Sequence, residues 1–144
     1  MASIDRFILP HLIDIKTFDS ADPLKVMAER AGIPRDKIIR LNANENPYGA
    51  SPRVAGALAA VQTHLYPDPL QRTLRRELSR YAGVDEENII AGAGSDELID
   101  LLFRLFVSPG DSVIDCDPTF GMYDFCARIA GATVKWVPRD EAFD

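Results

Sequence analysis

The chain has 144 residues, 47% of them apolar, enough for one globular domain with a core, which excludes disorder along the whole chain. Sixteen Lys and Arg against 22 Asp and Glu leave a formal charge of −6 with no sustained basic face, so nucleic acid and anionic membranes are poor partners. Cys116 and Cys126 stand in apolar company without metal-ligand or disulfide-framework spacing, so reduced thiols and no metal site are expected.

Residues 1–21 carry apolar positions without a clean period and are interrupted by Pro10, which reads as an arm packing on something larger. The first residues lack a basic segment ahead of an apolar core, and no apolar run reaches membrane-spanning length, so cytoplasmic residence is the expectation. Asp22-Pro23 offers an N-cap and a first-turn proline for a short helix that Gly32 and Pro34 stop. Ile38 to Leu41 is a brief extended run. It enters Asn42-Ala43-Asn44-Glu45-Asn46-Pro47-Tyr48-Gly49, too rich in Asn, Pro and Gly to continue as a strand. That loop reads either as a turn held by side-chain-to-backbone hydrogen bonds or as a polar lip over a ligand.

Ser51-Pro52 begins a second helix, with Val54, Ala57, Leu58, Val61 and Leu65 predicted on one face. Tyr66-Pro67-Asp68-Pro69 breaks it, leaving Tyr66 on a connection, and Pro69 can start the next helix. Leu70, Leu74, Leu78 and Tyr81 line that helix opposite Arg72, Arg75, Arg76 and Arg80, which read as a solvated face, and Gly83 ends it. A short apolar strand is predicted at Ile89. A helix apolar nearly all round follows from Leu98 to Phe106, then a strand at 112–116, a helix from Phe120 to Ala130 and a strand at 132–137. The strand and helix alternation predicts an α/β fold with parallel pairing and right-handed crossovers. If the chain is part of a larger protein, the all-round apolar helix from Leu98 to Phe106 and parallel strands lacking neighbours on one side would leave exposed apolar surface and an open sheet edge, and hence self-association.

The stretch Ile89-Ile90-Ala91-Gly92-Ala93-Gly94-Ser95-Asp96-Glu97 has the make-up of a phosphate socket. Glycines at 92 and 94 permit a sharp bend and close approach of an anion, and the first amides of the next helix lack intrahelical acceptors. The plainer alternative is a strand-to-helix turn capped by Ser95. Neither the dinucleotide fingerprint nor the Walker pattern is matched. Ligands of open α/β sheets lie beyond the carboxyl ends of strands, and the turn from Asp117 to Phe120 is a second such end. Phe120 could there stack on a flat ring whose phosphate the first end holds, or simply pack in the core.

Four segments, Leu41 to Gly49, Tyr66-Pro67-Asp68, Gly92-Ala93-Gly94-Ser95-Asp96-Glu97 and Pro118-Thr119-Phe120-Gly121-Met122-Tyr123, resemble in order and spacing the histidinol-phosphate aminotransferases. These belong to the class I/II, fold-type I enzymes that depend on pyridoxal 5'-phosphate. The resemblance implies an N-terminal arm and substrate-side loop at 1–50, and at 51–144 the first part of a three-layer αβα cofactor-binding large domain. It implies transamination between histidinol phosphate and 2-oxoglutarate, in histidine biosynthesis, by a homodimer. Carried over by position, the backbone at Gly94, Ser95 and Asp96 would hold the cofactor phosphate and Phe120 would stack on its ring. Tyr66 would reach a neighbouring subunit's phosphate, and Asn44 and Glu45 would border the substrate.

The chain departs from the family in having Phe120 where many relatives have tyrosine, and Phe18 near a substrate-facing tyrosine of the arm. Transamination further needs a lysine bonded to the cofactor and an aspartate at its ring nitrogen. Neither is identifiable: Lys16, Lys25, Lys37 and Lys135 stand in unlike contexts, so no catalytic residue is assigned and the isolated chain is expected to be inactive. Alternatives of the same fold are an aromatic aminotransferase or a threonine-phosphate decarboxylase. A non-catalytic phosphate-binding or dimerising half-protein and a plain structural domain are the others.

Overall fold

The computed structural model describes residues 4–18 and 20–142, and the chain divides into two compact units, Met1–Asp19 with Gln71–Asp144, and Ser20–Leu70.

In the unit Ser20–Leu70, α1 spans Leu24–Ala31 and α2 spans Pro52–Ala59. Pro23 is the N-cap of α1, one residue later than Asp22-Pro23 suggested, and Asp22 instead pairs with Arg30 at 2.8 Å. Gly32 ends α1 in the left-handed region at φ 67°, as a C-terminal glycine does when the last carbonyls need a partner. Ser51 and Pro52 start α2 as the sequence indicates. Its end differs: α2 stops at Ala59, so Val61 and Leu65 fall in the turns that follow rather than on its face. With prolines at 67 and 69 only a few residues ahead, continuation of the helix had little to gain.

In the other unit, α3 (Arg72–Ala82), α4 (Ser95–Phe106), β1 (Ser112–Asp117), α5 (Met122–Ile129) and β2 (Thr133–Pro138) follow in order. Helix α3 starts three residues after Pro69, because Asp68 Oδ1 accepts the Leu70 N–H at 3.1 Å and closes a separate turn. Strands β1 and β2 pair in parallel, with Ser112 opposite Thr133 and Asp117 opposite Pro138, and α5 is the crossover such pairing requires. Their entry is fastened by Gly110 N–H donating to Gly131 O at 3.0 Å and Thr133 N–H donating to Asp111 O at 2.8 Å. Gly131 has φ 75°, a conformation that ends α5 and turns the chain into β2.

The predicted strand at Ile89 does not form a ladder. Ile89 is extended, at φ −114° and ψ 128°, but its N–H donates to Glu86 O, and the described sheet contains β1 and β2 alone. An apolar β-branched run sets an extended conformation; a ladder needs a second backbone beside it, which local sequence does not supply.

The core of this unit lies where α4 meets α5 and is small: Ile99, Cys126 and Ala127 are its buried apolar residues. Leu101, Leu102, Leu105 and Phe106 of α4 are exposed, so the all-round apolar helix buries one stripe only. The arm packs on α5: His11 Nε2 lies 3.0 Å from Ile129 O, and the Phe18 ring is 6.0 Å from that of Phe125. Asp115 is buried on β1 at 6% exposure, with Oδ2 unpartnered. Among the described residues, no helix is long and apolar enough to cross a membrane.

Candidate functional site

The start of α4 is built from two glycines with different duties. Gly94 is the N-cap, at φ 92° and ψ 173°, a region essentially closed to residues with a Cβ. No heavy atom lies within 4 Å of where its Cβ would be, so the space over it is open. Gly92 is needed for another reason. A Cβ there would come within 2.8 Å of Glu97 Oε2 and 3.1 Å of Leu98 Cδ2, so its bareness lets Glu97 and Leu98 close on the loop from inside. The expectation that both glycines admit an anion is thus corrected for Gly92, whose missing side chain makes room for protein.

Ser95 is the first helical residue, not the cap, and the N-cap Gly94 makes no side-chain capping bond. The plain Ser95-capped turn is therefore not what forms. The N–H groups of the first turn of α4, at Ser95, Asp96 and Glu97, have no intrahelical acceptor, and all three residues are exposed. Together with the positive end of a 12-residue helix dipole, they make a cup able to bind an anion. An open space above Gly94 and first-turn amides without intrahelical acceptors are compatible with a phosphate group.

Asp96 and Asp100 share one side of α4, and both act on Cys126 of α5. Burial pushes the Cys126 thiol above its ordinary 9.0, Asp100 and Asp96 add to the rise, and Arg104 opposes it. The thiol therefore stays protonated and unreactive at neutral pH. Asp100 also accepts from Arg104 Nε at 2.7 Å.

Phe120 follows the cis Asp117-Pro118 peptide at the carboxyl end of β1. Its ring meets Phe18 edge-on, centroids 6.2 Å apart at 77°, and Tyr123 at 6.4 Å and 88°. Phe120 remains 47% exposed, so it is not absorbed into the core as simple packing would have it. Phe18 also approaches Gly121, where a Cβ would lie 3.3 Å from its ring. The arm thus supports the Phe120 ring.

Gly94, Ser95, Asp96 and Phe120 belong to one unit, and Asn44, Glu45 and Tyr66 to the other. Tyr66 is fully exposed on its connection. In the Asn-rich loop, Asn46 Oδ1 accepts the Tyr48 N–H at 3.0 Å and Asn46 Nδ2 donates to Gly49 O at 2.9 Å, so it is a side-chain-held turn. Asn44 takes a positive φ of 50°, and Glu45 pairs with Arg40 at 3.4 Å. Lys25 and Lys37 are exposed and ion-paired with Glu29 and Asp36. Among the described residues, no group of three or more His, Cys, Asp or Glu could hold a metal ion.

The sequence reading missed two side chains that hold the loop leading into the cup, Gln71 and Glu97. Gln71 Nε2 donates to Ala91 O at 2.9 Å, and Glu97 accepts the Ala93 N–H. For Glu97 a signal existed: a Glu three residues past an N-cap is the spacing of a capping box. It also missed Arg75, which is no solvated bystander but donates from Nε to Glu86 O at 2.8 Å.

Comparison with known proteins places this geometry in context. The histidinol-phosphate aminotransferase of Roseiflexus castenholzii is 50% identical over 99% of this chain and 40% of its own length. The chloroplastic histidinol-phosphate aminotransferase of Nicotiana tabacum is 46% identical over 96% of this chain and 34% of its own. The chain thus spans 40% or less of the length of these relatives. Among solved structures, the histidinol-phosphate aminotransferase of Sinorhizobium meliloti in complex with pyridoxal-5'-phosphate superposes with a TM-score of 0.78 over 97% of this chain and 36% of that one, at 24% identity. That likeness shows the α/β fold, of which this chain supplies a part. The family model for aminotransferase class I and II matches residues 36–144, and the chain belongs to that family.

Proposed function

We propose that this chain is part of a pyridoxal-phosphate-dependent histidinol-phosphate aminotransferase, exchanging an amino group between histidinol phosphate and 2-oxoglutarate in histidine biosynthesis. The observation that carries the reading is the open cup at Gly94, Ser95 and Asp96, standing in a chain 50% identical to an enzyme of that name. In this reading residues 1–50 form the arm and substrate-side loop, and 51–144 begin the cofactor-binding large domain. The Ser95 and Asp96 amides hold the cofactor phosphate, and Phe120, braced by Phe18, lies against the ring. Tyr66, fully exposed, serves the phosphate of the other subunit in a homodimer. Asn44 and Glu45 border the substrate, Glu45 being oriented by Arg40.

The cofactor, when bound, would supply a conjugated ring that takes up the electrons released as the amino substrate loses the proton on its amine-bearing carbon. The work of these residues is to bind and orient it: the cup fixes one end of the cofactor by charge-assisted hydrogen bonds, and Phe120 fixes the plane of its ring. None of the four lysines is assigned a covalent role.

Amide mapping of the isotopically labelled chain tests this directly. Adding pyridoxal phosphate shifts the resonances of Gly94, Ser95, Asp96 and Phe120 while those of α1 stay in place. Absence of shifts at the cup, or shifts confined to surface lysines, would contradict it.

A further inference from the structure

The cup is exposed and glycine-rich, a composition that by itself would leave the loop mobile, yet two side chains from different elements grip it on either side of Gly92. Gln71, immediately before α3, donates from Nε2 to the carbonyl of Ala91. Glu97, in the first turn of α4, accepts from the amide of Ala93. Carbonyl and amide belong to residues flanking the glycine whose bareness lets Glu97 and Leu98 approach.

Gln71 has a second mark of constraint. It is a non-glycine residue in the left-handed region, at φ 51° and ψ 33°, half-buried, and its own carbonyl accepts the Arg75 N–H at 2.9 Å. An unfavourable conformation of this kind persists only where surrounding bonds over-determine it. Here the main chain of Gln71 caps α3 while its side chain holds the loop at Ala91. Glu97 departs from the usual capping box by reaching one residue farther back, to Ala93 rather than Gly94. That bond engages the Ala93 amide and not the Gly94 amide, and so withdraws Ala93 from the cup.

We propose that Gln71 and Glu97 are positioning residues that hold the cup in its anion-binding shape before any ligand arrives, an inference that rests on the cofactor reading above. Their role is geometric. A carboxylate so near a phosphate would otherwise oppose binding, so the benefit of Glu97 must come from the bond it accepts and not from its charge.

Charge and geometry separate cleanly by substitution in the 144-residue chain. Glu97→Gln keeps an acceptor for the Ala93 amide and removes the charge; Glu97→Ala removes both. Gln71→Glu removes the donor to Ala91 at constant size. The Ala93 amide proton, measured without ligand, is expected downfield in the wild type and in E97Q and displaced upfield in E97A, with α5 resonances unmoved as the sign of an intact fold. The dissociation constant for pyridoxal phosphate is expected to rise about fivefold or more in E97A and Q71E and to stay within about twofold of wild type, or fall, in E97Q. Equal affinity and an unmoved Ala93 resonance in E97A would overturn the proposal, as would E97Q behaving like E97A. Failure of the wild type to bind pyridoxal phosphate would instead overturn the cofactor reading, while the Ala93 resonance still decides whether Glu97 holds the loop.

Discussion

Replacing Gly94 with alanine weakens pyridoxal phosphate binding by roughly 10- to 100-fold, the equivalent of about 1–3 kcal/mol of backbone strain. The magnitude follows from the dihedrals: φ 92° with ψ 173° is tolerated by glycine and by almost nothing else. The new methyl meets no atom within 4 Å, so the loss is conformational and not steric. To relieve the strain the chain must rotate at residue 94, and that rotation turns the Ser95 and Asp96 amides away from a common point. A fluorescence titration of the variant reads this, and an affinity within twofold of wild type would show that Gly94 does not set the cup. Thermal unfolding should fall by less than the binding, because the residue is exposed and contributes little to the core.

Ile99→Ala destabilises the unit containing α4 by about 2–4 kcal/mol. Ile99 is 7% exposed, and with Cys126 and Ala127 it makes up the apolar centre between α4 and α5. Small cores have little to spare, since whole domains are stable by only about 5–15 kcal/mol. The control is Leu105→Ala on the same helix: Leu105 is 70% exposed, and its truncation should shift stability by less than about 0.5 kcal/mol. Urea denaturation followed by the circular dichroism of the helices measures both. Equal losses at the two positions would mean that α4 is packed on a face other than the one through Ile99.

Much of the local structure was legible because it is written in local chemistry. Ser51-Pro52 and Gly32 place helix ends by satisfying backbone groups within a few residues, and the structure has them where the sequence puts them. The start of α4 after Gly94 was legible for the same reason, glycines ahead of a polar helix start. What could not be read is what distant backbone and side chains impose. Ile89 has the residues of a strand, but pairing depends on a neighbour that no local pattern names. The late start of α3 at Arg72 follows from the turn that Asp68 closes on Leu70, after which Gln71 stands in a left-handed conformation with its side-chain amide bonded to Ala91. Gly92 looked like a site of anion approach because glycine has two uses, flexibility and smallness, and only the position of Glu97 and Leu98 reveals which applies. The contact of Phe18 with Phe120 joins the arm to the end of β1, and spacing in the sequence gives no hint of it.

The central claim is that the cup at the start of α4 grips a phosphate that forms part of a larger flat-ring cofactor. The direct test is calorimetric titration of the chain with pyridoxal phosphate and, separately, with pyridoxal, which keeps the ring and lacks the phosphate. Two charge-assisted hydrogen bonds and the helix dipole, at about 1.5–3 kcal/mol for a bond to a charged group, predict that pyridoxal binds more weakly by at least about 100-fold, or not measurably. Equal affinity for the two compounds, or no heat with either, would contradict the account.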